Sequence, residues 1–104
     1  MEIQFFDDAL EEFISGLEKP TIAKVLRTLD LLEKFGNELG MPHSKPIKEG
    51  LLELRIRGVQ EIRIIYMFHK RSAVLLHGFT KKTQKLPTKH LSIAMKKKNQ
   101  LDGV

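Results

Sequence analysis

The sequence predicts an α+β fold in which helices pack on a sheet built around an antiparallel meander. Apolar and polar residues alternate near the N-terminus and again over residues 51–57, as they do in strands. Between these stretches, apolar residues recur at helical spacing. The strands of the second half are separated by short connections, which favour antiparallel pairing. The predicted order is therefore strand, helix, helix, three-stranded antiparallel meander and C-terminal helix.

The composition is typical of a globular chain, because 41% of the residues are hydrophobic and 30% are charged. A chain of 104 residues is expected to form one domain, over residues 1–104. Without cysteine it has no disulfide framework and no thiolate metal site, and its four histidines lack ligand-like spacing. No apolar run approaches the roughly 20 residues of a membrane span, and no signal peptide is apparent. We therefore expect a cytoplasmic protein with no metal site.

Two helices are predicted between the first strand and the meander. The first strand covers residues 2–6, and Asp7 is a good N-cap for the helix that follows. Pro20 suits the first turn of the second helix, and Gly36 suits its C-terminal cap. The apolar residues at helical spacing are expected in the core: Leu10, Phe13, Ile14, Leu17, Ile22, Val25, Leu26, Leu29, Leu32 and Phe35.

Residues 37–50 are rich in glycine and proline without periodicity, so a loop is expected there. The meander strands are predicted over residues 51–57, 62–69 and 73–79. The second of these is apolar on both faces, which is typical of a central strand. The first strand is then expected at an edge of the sheet. A last helix over residues 88–100 would turn Leu91, Ala94 and Met95 inward and Lys89, Lys96, Lys97 and Lys98 outward.

Charge is divided unevenly along the chain. Residues 1–61 contain 12 acidic and 8 basic residues, whereas residues 62–104 contain one acidic and ten basic residues. A small domain with segregated positive charge often binds nucleic acid. Arg63 lies on a strand that is otherwise apolar on both faces, so its charge needs a partner and a functional role is favoured.

These residue types suit phosphodiester chemistry on RNA without a metal ion. The ribose 2′-hydroxyl can serve as the nucleophile, so the protein must align it, stabilise the added negative charge and transfer protons. Arginines on rigid strands bind phosphate through two parallel hydrogen bonds. Lysines in the turn that follows the last strand add positive charge.

Three segments carry a family resemblance: GLLELRIR at residues 50–57, IRIIY at residues 62–66 and LLHGFTKKTQKLP at residues 75–87. With the acidic first helix, the long second helix and the closing helix, they resemble the RelE/ParE superfamily of toxins, and within it the HigB-like, phage-related branch. The resemblance covers nearly the whole chain. Its most specific part is the glycine-phenylalanine-x-lysine-lysine-threonine-glutamine-lysine segment.

The resemblance implies a RelE-like fold and a toxin of a type II toxin–antitoxin system. Most RelE and HigB members cleave mRNA in the ribosomal A site by 2′-hydroxyl attack, without metal or cofactor, and so inhibit translation. The implied partners are mRNA, the ribosome and a cognate antitoxin, which in the HigB branch usually carries a helix-turn-helix domain, as in HigA. ParE-like relatives instead poison gyrase and cut no RNA. A basic RNA-binding module without catalysis is the third hypothesis.

By position, Arg63 matches the family arginine that holds the scissile phosphate, Arg55 matches the arginine of the preceding strand, and Lys81 and Lys82 match the basic pair after the last strand. The late tyrosine of RelE has no counterpart, since the single tyrosine, Tyr66, lies in mid-strand with a predicted buried side chain. Lys82 and His90 are both candidates for proton transfer. Further candidates for binding RNA or phosphate are Arg57, Lys85, Gln84, Thr83 and Lys48.

Overall fold

The computed structural model describes residues 1–103, in which three helices pack on a five-stranded mixed sheet. Its elements are β1 (Glu2–Phe5), α1 (Asp8–Ser15), α2 (Lys19–Phe35), β2 (Ser44–Pro46), β3 (Leu52–Ile56), β4 (Ile62–His69), β5 (Ser72–Thr80) and α3 (Thr88–Asp102). The strand order is β1-β5-β4-β3-β2, with β1 parallel to β5 and every other pair antiparallel. The predicted α+β class, the meander and the edge position of the first strand are confirmed.

The loop predicted over residues 37–50 is wrong in part, because it contains β2. Ser44, Lys45 and Pro46 pair with residues 52–54 of β3 and extend the sheet by one short edge strand. A strand of this length shows no alternation in sequence, and proline is compatible with an edge because it need not donate a ladder hydrogen bond. The Ser44 side chain is buried and hydrogen-bonded to the hydroxyl of Tyr66.

Helices cover both faces of the sheet, which explains why β4 is apolar on both sides. The two N-terminal helices pack on one face and α3 packs on the other. Leu26 and Phe35, predicted as core residues, are exposed. The reason is that the buried stripe of α2 passes instead through Thr21 and Thr28. The five buried residues of α2 are Thr21, Val25, Thr28, Leu29 and Leu32.

A β-bulge in β5 determines which side chains face α3. Ile65 pairs with His77 and Tyr66 pairs with Leu75, so Leu76 is the extra residue. As a consequence, Leu76 and His77 lie on the same face, where Leu76 packs in the α3 cluster and His77 stacks on a histidine of α3. Phe79 then faces the same side and lies directly opposite Arg63 of β4.

An ion pair joins the start of α1 to α3. Asp7 precedes α1 at the N-cap position, but its side chain makes no capping hydrogen bond. One carboxylate oxygen lies 2.9 Å from Lys97 Nζ, which also donates a hydrogen bond to the carbonyl of Leu76. Asp7 is therefore at the predicted N-cap position, but its carboxylate pairs with Lys97 instead of capping the helix. The outward direction predicted for Lys97 is wrong, since its ammonium group contacts Asp7 and the carbonyl of Leu76. None of the helices within residues 1–103 has the length and apolar character of a membrane span.

Candidate active site

A cationic cavity of about 400 Å³ lies where the turn between β3 and β4 meets the segment after β5. Four of its side chains are positively charged and one is a carboxylate, so its field favours an anionic ligand. The positive charges come from parts of the chain that are distant in sequence and that the sheet brings together. The lining residues are Arg57, Glu61, Arg63, Lys81, Lys82, Thr83 and Gln84.

Arg63 is the most deeply buried residue of this cavity, with 1% of its surface exposed. Its Nη1 donates to the carbonyl of Ile62 and its Nη2 donates to Glu61 Oε2, both at 3.1 Å. Its Nε lies 3.5 Å from Glu53 Oε1, within ion-pair distance but without a hydrogen bond. A charge removed from water in this way is tolerated only with such partners. Glu53 and Glu61 are thus the partners that the sequence analysis expects for the charge of Arg63.

Sequence reasoning missed both carboxylates. In sequence, Glu53 is a polar residue of an alternating strand and Glu61 lies between two predicted strands. The register of the sheet brings Glu53 to Arg63, because Arg55 pairs with Arg63 across β3 and β4, so that Glu53 and both arginines share one face. Glu61 reaches Arg63 from the turn before β4, two residues earlier in the chain. The register would have indicated the contact of Glu53, because Glu53 lies two residues from Arg55, which pairs with Arg63 on the facing strand.

Arg55 extends the same row of side chains but does not line the 400 Å³ cavity. Its Nε lies 3.8 Å from Glu53 Oε1, and its Nη1 contacts Met41 Sδ at 3.6 Å. It lines a separate cavity of about 350 Å³ together with His43 and Arg57. Arg57 is exposed and borders both cavities.

The cationic turn after β5 is attached to the start of β4 by its backbone. The N–H of Lys81 donates to the carbonyl of Glu61 at 2.8 Å, and the Thr83 hydroxyl donates to the carbonyl of Lys85 at 2.9 Å. This second bond closes the turn, and Thr83, a candidate for binding RNA or phosphate, lines the 400 Å³ cavity. Lys81 and Gln84 also line an adjoining cavity of about 240 Å³.

The remaining basic candidates lie at different distances from this centre. Lys82 is exposed and lines the 400 Å³ cavity, whereas Lys85 is exposed and lines neither that cavity nor the adjoining one. Lys48 lies elsewhere, beside Gly50 and Phe68 in another depression. The structure therefore groups Lys82 with Arg63 and leaves Lys48 apart.

His90 lies near the start of α3 in a stack of aromatic rings. Its Nδ1 is 2.8 Å from His77 Nε2, and its ring lies parallel to that of Phe79 with centroids 4.0 Å apart. Burial, followed by the positive charge of Lys89, lowers the pKa of His90. Burial, followed by His90 and Lys97, lowers the pKa of His77 to about 4, although Asp7 acts in the opposite direction. Both imidazoles are therefore neutral at pH 7. The His90 ring stacks on Phe79, and Phe79 pairs with Arg63 across β4 and β5.

Tyr66 is buried, as predicted, on the sheet face that α1 and α2 cover. Its hydroxyl is bonded to Ser44, and burial raises its pKa. Among residues 1–103, no three histidine, aspartate or glutamate side chains are grouped as metal ligands would be.

Comparison with known proteins gives one family. The family model described as Phage derived protein Gp49-like (DUF891) matches residues 12–99, which include the second half of α1, all of α2, the meander and most of α3. No curated protein matched the chain. The matched range covers most of the 104 residues. The chain therefore belongs to the Gp49-like family, a RelE/HigB-like family of toxins from toxin–antitoxin systems whose partners are antitoxins.

Proposed function

We propose that this toxin is an endoribonuclease that cleaves mRNA on the ribosome without a metal ion and so inhibits translation in the cytoplasm. One observation carries the proposal: four cationic side chains from three segments converge on one cavity around a buried arginine. A binding surface for phosphate alone could be built from exposed lysines. An arginine buried in mid-sheet beside the buried Glu53 is instead held in one orientation, which is what transition-state stabilisation needs.

The proposed reaction requires no nucleophile from the protein. The 2′-oxygen attacks the adjacent phosphorus while the bond to the 5′-oxygen breaks, which leaves a 2′,3′-cyclic phosphate and a 5′-hydroxyl. Arg63, Lys81 and Lys82 would hold the phosphate and offset the charge that develops on its oxygens. Arg57 would extend contact to the neighbouring backbone phosphate.

Proton transfer would fall to Lys82 or His90. Lys82 lines the cavity directly. His90 is neutral at pH 7 because its pKa is lowered, and its Nδ1 is engaged by His77, so Nε2 would be the nitrogen that exchanges a proton with RNA. Separate Lys82→Ala and His90→Gln variants would assign the role, since the proton-transfer residue alone should change the pH dependence of cleavage.

We also propose that the toxin belongs to the HigB-like branch and that its antitoxin is a small helix-turn-helix protein of the HigA type. The support is the segment GFTKKTQK at residues 78–85 together with the order of elements. Co-expression with the product of the adjacent reading frame tests it. Restored growth and a stable complex would support the proposal, whereas a neighbour without a helix-turn-helix domain would contradict it.

The proposed activity is tested by adding the purified toxin to a translating extract and mapping new 5′ ends on the mRNA. Arg63→Lys is the matched variant, because it keeps the charge and loses the two-pronged contact. We expect cleavage within translated codons and a rate about 100- to 1,000-fold lower for Arg63→Lys. Inhibition of gyrase without any new 5′ ends would instead support a ParE-like toxin.

A further inference from the structure

Two carboxylates contact Arg63, and the proposed reaction gives neither of them a task. Glu53 Oε1 lies 3.5 Å from Arg63 Nε, and Glu61 Oε2 lies 3.1 Å from Nη2. Their surroundings differ sharply. The Glu53 side chain is 9% exposed, whereas that of Glu61 is 42% exposed. One carboxylate is thus fixed inside the sheet, and the other is free to leave the arginine for water.

Glu61 occupies one of the hydrogen-bonding edges of the Arg63 guanidinium. A guanidinium has five N–H donors, and in Arg63 one of the Nη2 donors is bonded to Glu61. Arg63 is 1% exposed in this state, so an RNA phosphate can reach its Nη2 edge only after the Glu61 side chain moves aside. The backbone of Glu61 need not move, because its carbonyl is held by the N–H of Lys81.

Glu53 has a different place, between two arginines that face each other across β3 and β4. Its Oε1 lies within 4 Å of Nε of both Arg55 and Arg63. Two guanidinium groups on directly paired residues repel each other, and Glu53 offsets that repulsion from a buried position. Because the Glu53 side chain is almost fully enclosed, an RNA phosphate cannot replace it as it can replace Glu61.

We propose that Glu53 is a positioning residue that holds Arg55 and Arg63 side by side, and that Glu61 is an exchangeable carboxylate that the RNA phosphate displaces from Arg63. The proposal rests on the proposed function for the identity of its ligand. In the free toxin, Glu53 and Glu61 offset the charge of Arg63 and orient its side chain. When RNA binds, its phosphate replaces the Glu61 carboxylate on Arg63, and Glu53 stays in place.

The test compares Glu53→Gln with Glu61→Gln, two substitutions of equal size and equal change in charge. A 2′-O-methyl RNA oligonucleotide, which cannot be cleaved, gives Kd, and cleavage of mRNA in a translating extract gives kcat and KM. For Glu61→Gln we expect Kd to fall about fivefold, as for loss of a partly exposed ion pair, with a smaller effect on kcat than Glu53→Gln has. For Glu53→Gln we expect kcat to fall about 10- to 100-fold, as when a catalytic group is misplaced.

Glu18→Gln is the matched control for charge alone. Glu18 is exposed, and its backbone N–H donates to the side chain of Gln60, next to Glu61 in sequence. Its replacement should leave Kd unchanged. If Glu18→Gln and Glu61→Gln lower Kd equally, general charge removal is the cause and the exchange is refuted. The Glu61 comparison remains decisive even if Glu53→Gln fails to fold in thermal unfolding.

The outcomes separate this proposal from the proposed function. Absence of cleavage by the wild-type toxin would refute the nuclease. A lower Kd for Glu61→Gln alone would still support exchange at Arg63, because the 2′-O-methyl oligonucleotide reports binding only. Cleavage by the wild type with weaker or unchanged RNA binding for Glu61→Gln would refute the exchange and leave the nuclease standing. Equal effects of Glu53→Gln and Glu61→Gln on kcat would refute the division of roles.

Discussion

Replacing Arg63 with alanine should destabilise the fold strongly, because it leaves Glu53 as a buried carboxylate with one distant partner. Arg63 is 1% exposed, the Glu53 side chain is 9% exposed, and the remaining cation, Arg55 Nε, lies 3.8 Å from Glu53. Removing one partner of a buried ion pair costs about 3–5 kcal/mol. Each kcal/mol of lost stability lowers Tm by about 4–8 °C in a domain of this size, so Tm should fall by at least about 12 °C.

Thermal unfolding followed by circular dichroism at pH 7 measures this loss. Arg63→Ala combined with Glu53→Gln should recover part of it, because a neutral amide is less costly to bury than an unpaired carboxylate. Arg63→Lys should stay close to the wild type, since it keeps a cation near Glu53. A Tm for Arg63→Ala within about 3 °C of the wild type would refute the reasoning, since it would mean that Glu53 is solvated without its partner.

Stability should fall as the pH is lowered from about 6.5 to 4, because burial lowers the pKa of His77 to about 4 and the unfolded chain therefore binds a proton that the folded chain does not. Urea unfolding at pH 7 and 5 should show the loss, and His77→Asn should reduce it. Gly78→Ala should cost about 1–3 kcal/mol, since the added Cβ would lie 2.6 Å from Leu10 Cδ1; an unchanged urea midpoint would contradict this close packing. Tyr66→Phe should cost about 1–3 kcal/mol by leaving the buried Ser44 hydroxyl without its partner. RNA cleavage by Tyr66→Phe should persist at the wild-type rate, and its loss would give Tyr66 a catalytic role.

The fold class and the order of elements could be predicted because they depend on periodicity within short windows. Residues 62–69 are apolar on both faces, and the structure indeed covers that strand with helices on both sides. β2 could not be predicted, because three residues carry no period and its pairing depends on β3. Leu26, expected in the core, is exposed and Thr28 is buried, since hydrophobicity alone does not show which side of α2 meets the sheet.

The candidate site could be predicted only as a set of cations. Arg63 stood out because a charge within an apolar strand needs a partner, and the structure supplies two. Glu53 and Glu61 were missed because their contacts depend on the register between β3 and β4 and on the geometry of the turn between them. The link between His77 and His90 depends on the bulge at Leu76, which alternation does not reveal. The catalytic roles of these residues stay predictions.

The most direct test of the central claim uses an mRNA that carries a single 2′-deoxyribose at a cleavage site mapped with the wild-type toxin. If the 2′-hydroxyl is the nucleophile, cleavage should disappear at that nucleotide and persist at other mapped sites. The products of the unmodified mRNA should end in a 2′,3′-cyclic phosphate. Cleavage that continues at the deoxyribose, or products with a 5′-phosphate, would contradict the proposed chemistry.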